Sequence, residues 1–328
     1  MDKLINKFTA QLKEAIDITD KYVLKRPDHS FNKVMVLGMG GSGIAGSFLS
    51  SVMNEYGNVP VFTSNGYEVP NWLDENTLVI ASSYSGNTEE TLTAFDKIAE
   101  KGIGIVSVTS GGRLLDKAIE NGFDYIKIPS GWPAPRACFG YSFVSQLAIM
   151  GKMGLLDKDF HKGFIEVIQL IENEANEIKD EAKEISNRLI GKLPFIYTNL
   201  DFEPLGIRFK QQLNENAKTL AHHAVIPEMN HNELVGWASE YKDIAVVFIK
   251  SNLYSERVNA RIDLTKEIIL KYVDTMIEIE AKGNSLVEQM LYLVNLTDWV
   301  SFYLADSKEV DVMAIENINY LKDQLAKL

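Results

Sequence analysis

Short apolar runs of strand length alternate with helical segments along most of this 328-residue chain. The first half has five such runs, and the segments between them place apolar residues at the spacing of amphipathic helices. Because parallel strands need crossover connections, this alternation favours an α/β fold with a parallel sheet covered by helices on both faces. The five predicted strands are 33–37, 59–62, 77–81, 104–108 and 125–128.

A long helical stretch interrupts the alternation near the middle of the chain. Residues 152–192 are rich in Glu, Lys and Ile and have a helical pattern. The strand and helix rhythm then resumes, which predicts two α/β domains, at 1–151 and 193–328, joined by a helical connector at 152–192. The second half has predicted strands at 193–198, 244–249 and 275–279, and predicted helices at 206–220, 256–271, 286–304 and from there to 328.

Charge and cysteine content narrow the class of protein. Lys and Arg total 33 and Asp and Glu total 45, so the formal net charge is −12, which disfavours nucleic acid and anionic membranes as partners. Cys138 has no second cysteine with which to form a disulfide within the chain. The first 21 residues lack the continuous apolar core of a secretion signal, and we expect a cytoplasmic protein.

A glycine-rich loop, Gly38-Met39-Gly40-Gly41-Ser42-Gly43, follows the first predicted strand and opens a helical segment. Glycines allow the backbone to approach a ligand closely, and a helix N-terminus offers unpaired N–H groups to an anion. The same pattern also occurs in a tight strand-to-helix turn with no ligand. Both interpretations are open on this motif alone.

Two familiar nucleotide sites fit this loop poorly. A dinucleotide-binding fold carries an Asp or Glu about 20 residues further on, where the second strand ends and the ribose hydroxyls bind. That strand ends here in Thr63-Ser64-Asn65, without an acid. A Walker phosphate loop is also disfavoured, because no Gly-Lys-Ser/Thr follows the glycines.

A second polar loop, Ser82–Thr88, follows the third predicted strand and is crowded with hydroxyl groups. Helix capping explains one hydroxyl but not several. The carboxyl ends of neighbouring parallel strands face one crevice, so the two loops together suit a single phosphoryl group. Because 37–50 and 81–88 contain no charged side chain, such a site would rely on hydroxyls, backbone N–H groups and helix dipoles.

The Ser-Tyr-Ser-Gly-Asn-Thr-Glu-Glu-Thr segment after this strand resembles the phosphosugar-binding loop of sugar isomerase (SIS) domains. Together with four other motifs it resembles the bifunctional phosphoglucose/phosphomannose isomerases, from about residue 30 to the end. The resemblance implies two SIS-type domains, each a parallel sheet flanked by helices. The four motifs are Gly38–Gly43, Pro135-Arg136-Ala137, Asn214-Glu215-Asn216 and His231-Asn232-Glu233.

This resemblance implies an aldose–ketose isomerase that needs no metal or organic cofactor. It implies interconversion of glucose 6-phosphate and fructose 6-phosphate, and also of mannose 6-phosphate, by proton transfer through a cis-enediol after ring opening. Glu215 matches the base, Arg136 the group that stabilises the enediolate, and His231 and Lys322 the ring-opening pair. The matching phosphate ligands are Gly40, Ser42, Ser83, Ser85 and Thr88.

The resemblance also implies a homodimer in which His231 reaches the active site of the neighbouring subunit. His222 and His223 have no such match, and we expect them to be surface or capping residues. A zinc site made from the three histidines is an alternative, although their spacing matches no standard signature. From the residues alone, a lone Glu, a loop Arg and a Lys near a helix C-terminus also have ordinary structural explanations.

One departure from the family concerns the segment before the last helix. The family commonly has Asp-Pro-Thr-Pro-Val there, whereas this chain has Asp311-Val312-Met313-Ala314-Ile315. Met313 thus stands where the family has a threonine associated with acceptance of both C2 epimers.

Rival interpretations of the chain's function are a non-catalytic SIS phosphosugar sensor, a dinucleotide oxidoreductase and another SIS enzyme. A glutamine-dependent aminotransferase would need an N-terminal cysteine, and residue 2 is Asp2.

Overall fold

The computed structural model describes residues 1–25, 30–156 and 160–327. It divides into two compact units. The N-terminal unit comprises Asn6–Glu172 and Gly283–Glu288, and the C-terminal unit comprises Met1–Ile5, Asn173–Lys282 and Gln289–Leu328. Among the described residues, no helix combines the length and the apolar character that crossing a bilayer requires.

The N-terminal unit contains a five-stranded parallel sheet in the order β2-β1-β3-β4-β5. The strands are β1 (Lys33–Leu37), β2 (Val61–Ser64), β3 (Thr77–Ser83), β4 (Ile105–Thr109) and β5 (Asp124–Lys127). The first helix of the chain, α1 (Asp2–Ile5), belongs to the C-terminal unit. The helices of the N-terminal unit are α2 (Phe8–Lys21), α3 (Gly40–Tyr56), α4 (Glu89–Ala99), α5 (Gly112–Glu120), α6 (Phe139–Lys152) and α7 (His161–Asn173). The last of these, α7, ends at the boundary between the units.

The central strands of this sheet are buried on both faces. Every residue of β3 and β4 is buried, as are four of the five in β1. A continuous apolar strand of this kind is typical of a parallel sheet that helices cover on both sides. One core cluster packs Phe95 and Ile98 of α4 against Met35 of β1 and Val79 of β3. This arrangement confirms the predicted α/β class.

The C-terminal unit contains a four-stranded parallel sheet in the order β7-β6-β8-β9. The strands are β6 (Leu193–Asn199), β7 (His222–Ile226), β8 (Ile244–Lys250) and β9 (Thr275–Glu280). The helices that follow α7 are α8 (Ala175–Leu189), α9 (Glu203–Ala217), α10 (Glu256–Ile269), α11 (Leu286–Ser307), whose first three residues fall in the N-terminal unit, and α12 (Glu316–Leu325).

Eight of the nine strands lie at or within two residues of their predicted positions, and β7 was not predicted. It is the edge strand of the second sheet, and four of its five residues are half-buried rather than apolar and buried. The helix α6 was also missed. The predicted helical stretch at 152–192 contains α7 and α8, and its residues 157–159 lie outside the described residues, as does residue 328 of the last predicted helix.

A buried polar network joins α9 to α11 inside the C-terminal unit. Arg208 donates from Nη2 to both carboxylate oxygens of Asp298, at 3.0 and 2.8 Å, and Gln212 Nε2 donates to the same carboxylate at 2.8 Å. One helical turn further along α9, Asn216 Nδ2 donates to Ser301 Oγ at 2.9 Å. Since residues four apart share one face of a helix, this stripe fixes the rotation of α9 about its axis.

Replacing Asp298 by Ala should strongly destabilise the protein. Arg208 is only 2% exposed, so loss of the carboxylate leaves a buried guanidinium without the anion that offsets its desolvation. We expect the free energy of unfolding to fall by about 3–5 kcal/mol, measured by urea denaturation. The matched control is Asp263→Ala, which removes the ion pair between the exposed Asp263 and Lys266 and should cost less than about 1 kcal/mol. Equal losses in the two variants would contradict this account.

Candidate functional site

The strand order places a topological switch point between β1 and β3. The chain leaves β1 towards β2 on one side and leaves β3 towards β4 on the other. These two strands are paired up to Leu37 and Ala81, so their following loops start side by side. Open α/β sheets bind ligands at such a point, outside the carboxyl ends of the strands. Both loops singled out in the sequence therefore lie at the position where this fold holds a ligand.

The glycine loop makes a tight turn from β1 into α3. A Cβ at Gly43 would lie 2.5 Å from the carbonyl oxygen of Gly38, so a larger residue cannot occupy this position without displacing backbone. Gly40 opens α3 with φ +51° and is exposed, while Ser42 is buried in the first turn. The residue that precedes α3, Met39, makes no side-chain cap hydrogen bond. The first turn of α3 is therefore not capped by that side chain.

The second polar loop, Ser82–Thr88, is called the hydroxyl loop below. It is organised by hydrogen bonds among its own residues. Ser83 Oγ and Thr88 Oγ1 lie 2.8 Å apart, and the N–H of Gly86 donates to Ser83 Oγ at 3.1 Å. The N–H of Asn87 donates to Ser85 Oγ at 3.2 Å. Thr88 precedes α4 yet makes no side-chain cap hydrogen bond to that helix. Capping of α4 by Thr88, the alternative explanation for this hydroxyl, is therefore not what the structure shows.

The turn between β4 and α5 packs against the hydroxyl loop and is hydrogen-bonded to it. Gly86 has φ +68°, and a Cβ there would lie 1.8 Å from the carbonyl oxygen of Gly111. The N–H of Leu114 donates to the carbonyl of Gly86 at 2.9 Å, and the N–H of Arg113 donates to Asn87 Oδ1 at 3.1 Å. These contacts hold the loop in one conformation, so its hydroxyls are ordered by the fold itself.

Arg136 lies in a 3₁₀ turn, Pro135–Cys138, that borders the glycine loop. A Cβ at Gly41 would lie 3.4 Å from the carbonyl oxygen of Pro135 and 3.6 Å from the Cα of Arg136. The Arg136 side chain is buried. The structure thus brings Arg136 and the five predicted phosphate ligands to the same edge of the N-terminal sheet. Those ligands are Gly40, Ser42, Ser83, Ser85 and Thr88.

Cys138 ends the same 3₁₀ turn and is buried. Burial raises the pKa of its thiol to about 12. Because the thiolate is the reactive form, this cysteine is a poor nucleophile in the folded protein.

The other three predicted catalytic residues lie in the C-terminal unit, on three separate elements. Glu215 is half-buried in the last turn of α9, beside the polar stripe that docks this helix on α11. His231 is exposed in a 3₁₀ turn, Glu228–His231, that follows β7. Lys322 is exposed on α12, a helix that buries none of its residues.

His222 and His223 are neither capping residues nor a simple exposed pair, which corrects the expectation from the sequence. They are successive residues of β7, so their side chains point to opposite faces of the sheet. His223 Nε2 lies 2.9 Å from Thr198 Oγ1, and His222 Nε2 lies 2.9 Å from Glu233 Oε2. Among the described residues, no three His, Cys, Asp or Glu side chains are arranged to hold a metal ion.

The corresponding loops of the C-terminal sheet are built differently. After β8, Ser251 Oγ donates to Gln289 Oε1 at 2.5 Å, and Ser255 Oγ caps α10 by accepting from the N–H of Val258 at 3.4 Å. After β6, the chain carries the acidic residues Asp201 and Glu203. The loop after β6 thus carries an acidic residue, Asp201, before its helix begins, whereas 81–88 contains no charged side chain. A pair of adjacent loops without charged side chains therefore occurs at the N-terminal sheet.

Two family models match the chain. The SIS domain matches residues 29–130, and the bacterial phospho-glucose isomerase C-terminal SIS domain matches residues 178–325. A bifunctional phosphoglucose/phosphomannose isomerase from Caldicellulosiruptor bescii is 36% identical, over 97% of this chain and 96% of that protein. One from Aquifex aeolicus is 35% identical, over 90% and 91%. The chain belongs to the bifunctional phosphoglucose/phosphomannose isomerase family.

Solved structures agree with this assignment at the level of fold. The C-terminal domain of glucosamine-fructose-6-phosphate aminotransferase from Francisella tularensis superimposes with a TM-score of 0.78 at 16% identity, covering 94% of this chain and 96% of that one. The predicted architecture of two SIS domains, each with a parallel sheet flanked by helices, is confirmed.

Replacing Gly86 by Ala should weaken anion binding at the N-terminal sheet. The added methyl group collides with the carbonyl of Gly111 and must displace the hydroxyl loop. We expect the affinity for inorganic phosphate, measured by isothermal titration calorimetry, to fall at least tenfold. Gly122→Ala is the matched control, because Gly122 has φ +67° but nothing within 4 Å of its Cβ position. It imposes similar backbone strain, of roughly 1–2 kcal/mol, without the collision. Equal affinities for the two variants would contradict the prediction.

His223 should make the protein less stable in mild acid. Burial lowers its pKa from 6.5 to about 4, so the unfolded chain binds a proton between these pH values and the folded chain does not. Stability then falls as the pH drops from about 6.5 to 4, by at most about 3 kcal/mol for this group. Urea unfolding at pH 7 and pH 4.5 should show a smaller difference for His223→Gln than for the wild type. His161→Gln, at an exposed site, should retain the full difference.

Proposed function

We propose that this chain interconverts glucose 6-phosphate and fructose 6-phosphate, and that it also accepts mannose 6-phosphate. The observation that carries the proposal is the pair of uncharged loops at the switch point between β1 and β3, in a chain whose relatives are named for these activities. The two loops suit the phosphate group that all three sugars share. Hydroxyls and backbone N–H groups at two helix N-termini supply the anion site without a lysine or arginine in either loop.

The chemistry assigns one task to each of the predicted catalytic residues. His231 and Lys322 open the sugar ring by moving a proton between the ring oxygen and the anomeric hydroxyl. Glu215 removes the proton from C2 of the open aldose and returns it to C1, while a proton passes from O2 to O1. Arg136 stabilises the negative charge of the cis-enediolate that forms between these steps, because a guanidinium remains charged at every physiological pH.

The same proposal includes the assembly and the setting of the enzyme. The active unit is a homodimer in which His231 serves the site of the neighbouring subunit. The enzyme acts in the cytoplasm on the hexose phosphates of glycolysis and gluconeogenesis, and its reaction needs no cofactor.

A phosphosugar sensor that binds without catalysis is the second candidate. The loops at the N-terminal sheet would serve a sensor equally well, since they bind only the phosphate. A sensor has no need for a base, an enediolate-stabilising cation and a ring-opening pair together. The presence of Glu215, Arg136, His231 and Lys322 at the positions of the family motifs therefore favours the enzyme.

Glu215→Gln should abolish isomerisation while leaving phosphosugar binding nearly intact. The amide keeps the shape of the side chain but cannot accept the proton from C2. We expect turnover of glucose 6-phosphate, in an assay coupled to fructose 6-phosphate detection, to fall at least 10³-fold, within the range typical of a lost general base. Binding of the sugar phosphate, by calorimetry, should change less than threefold.

The matched control is Glu267→Gln, which makes the same change at an exposed position of α10 and should retain full activity. Each variant is assayed with glucose 6-phosphate and with mannose 6-phosphate, because Met313 replaces the family's threonine. Retained turnover in Glu215→Gln would contradict the mechanism. Binding without turnover in the wild-type chain would instead favour the sensor.

A further inference from the structure

The segment that carries His231 has little packing of its own. It runs from Pro227 to Gly236 through two 3₁₀ turns, Glu228–His231 and Glu233–Gly236. Met229 is the one buried residue of the first turn, and the second turn has none. An exposed segment with so few buried apolar contacts is held mainly by whatever polar contacts anchor it.

Glu233 provides one anchor, in the core of the C-terminal sheet. Its Oε1 accepts a hydrogen bond from the hydroxyl of Tyr197 at 2.5 Å, and its Oε2 lies 2.9 Å from Nε2 of His222. Tyr197 is fully buried on β6, and His222 lies on the adjacent strand β7. Burial, followed by the Glu233 carboxylate, raises the pKa of Tyr197 well above its usual range, so the hydroxyl remains a donor at every physiological pH. The two carboxylate oxygens thus connect the segment to two neighbouring strands.

Asn230 provides a second anchor, on the other side of His231. Its Nδ2 donates to Thr265 Oγ1 at 2.8 Å, and Thr265 is buried on α10. Between the anchors, Asn232 closes the turn: its Oδ1 accepts from the N–H of Glu233 at 2.6 Å, and its Nδ2 donates to Glu228 Oε1 at 2.9 Å. His231 therefore lies one residue after one anchor and two residues before the other.

We infer that Glu233, clamped between Tyr197 and His222, is a positioning residue that holds His231 in the orientation required to open the sugar ring. This inference rests on the proposed function, because it takes ring opening as the task of His231. A carboxylate suits the clamp because it can accept hydrogen bonds on both of its oxygens at once. Loss of either bond leaves this side of the segment with one connection to the sheet instead of two.

Two reactions of the same substrate separate this role from a general loss of structure. Net conversion of cyclic glucose 6-phosphate requires ring opening and then proton transfer. Exchange of a C1 proton of fructose 6-phosphate with solvent requires proton transfer only, because the open keto form is already present in solution. A defect in ring opening should slow the first reaction and spare the second, whereas a defect in the base slows both.

The test compares Tyr197→Phe and Glu233→Gln with wild type in both reactions. Net conversion is followed by the coupled assay, and C1 exchange by proton NMR in deuterium oxide. We expect Tyr197→Phe to lower kcat for net conversion at least tenfold, with KM and the exchange rate each changed less than threefold. Glu233→Gln keeps one oxygen to accept from Tyr197 and should be intermediate.

The matched control is Tyr254→Phe, which removes another buried hydroxyl of the same unit, one that donates to the carbonyl of Ile249 at 3.2 Å. It should leave the ratio of the two rates unchanged. Wild-type rates in Tyr197→Phe, or a parallel loss of both reactions with a lowered Tm, would overturn the positioning role alone. A wild-type chain without isomerase activity would overturn the proposed function and this role with it.

Discussion

The contact between Gly86 and the carbonyl of Gly111 determines the geometry of the hydroxyl loop. The two backbones approach so closely that no side chain fits between them, and hydrogen bonds from Arg113 and Leu114 bind the hydroxyl loop to the start of α5. Because the loop is already ordered, a ligand does not have to restrain it on binding. Donors that are arranged beforehand stabilise an anion more effectively than mobile ones.

The proposed phosphate site would let an acidic protein hold an anionic sugar without basic residues in either loop. The chain carries a net charge of −12, yet the two loops of the N-terminal sheet contain no charged side chain. In the proposed site, backbone N–H groups at the starts of α3 and α4 would supply the positive potential. Neither residue preceding these helices caps them with its own side chain. Such a site is selective for a small anion that fits the crevice, whereas an exposed basic patch would also attract nucleic acid.

Polar side chains have different structural roles in the two units. At the N-terminal sheet, the hydroxyls of Ser83, Ser85 and Thr88 bond within their own loop and order it. In the C-terminal unit, polar side chains fix larger elements in place: Arg208 with Asp298 sets the rotation of α9, and Glu233 ties the turn after β7 to two strands. The proposed base and the proposed ring-opening histidine each lie next to one of these fixed points. Buried polar contacts of this kind specify one arrangement, because any alternative leaves a charge without its partner.

The sequence by itself determined the α/β class, most strands and the position of the glycine and hydroxyl loops, because these follow from local patterns. An apolar run, a glycine turn and a row of hydroxyls are each recognisable within about ten residues. The family motifs added the candidate catalytic residues, since Glu215 and His231 have no local signal that separates them from surface residues.

Only the tertiary structure decided the rest, because the contacts concerned join residues far apart in the chain. The strand β7 was missed since an edge strand that begins His222-His223 has no continuous apolar pattern. The stripe of Arg208, Gln212 and Asn216 is visible in the sequence as a spacing of four, but Arg208 finds its carboxylate 90 residues away. Glu233 likewise meets Tyr197 across 36 residues. Pairings at such separations are set by how the helices and strands pack, which no local pattern encodes.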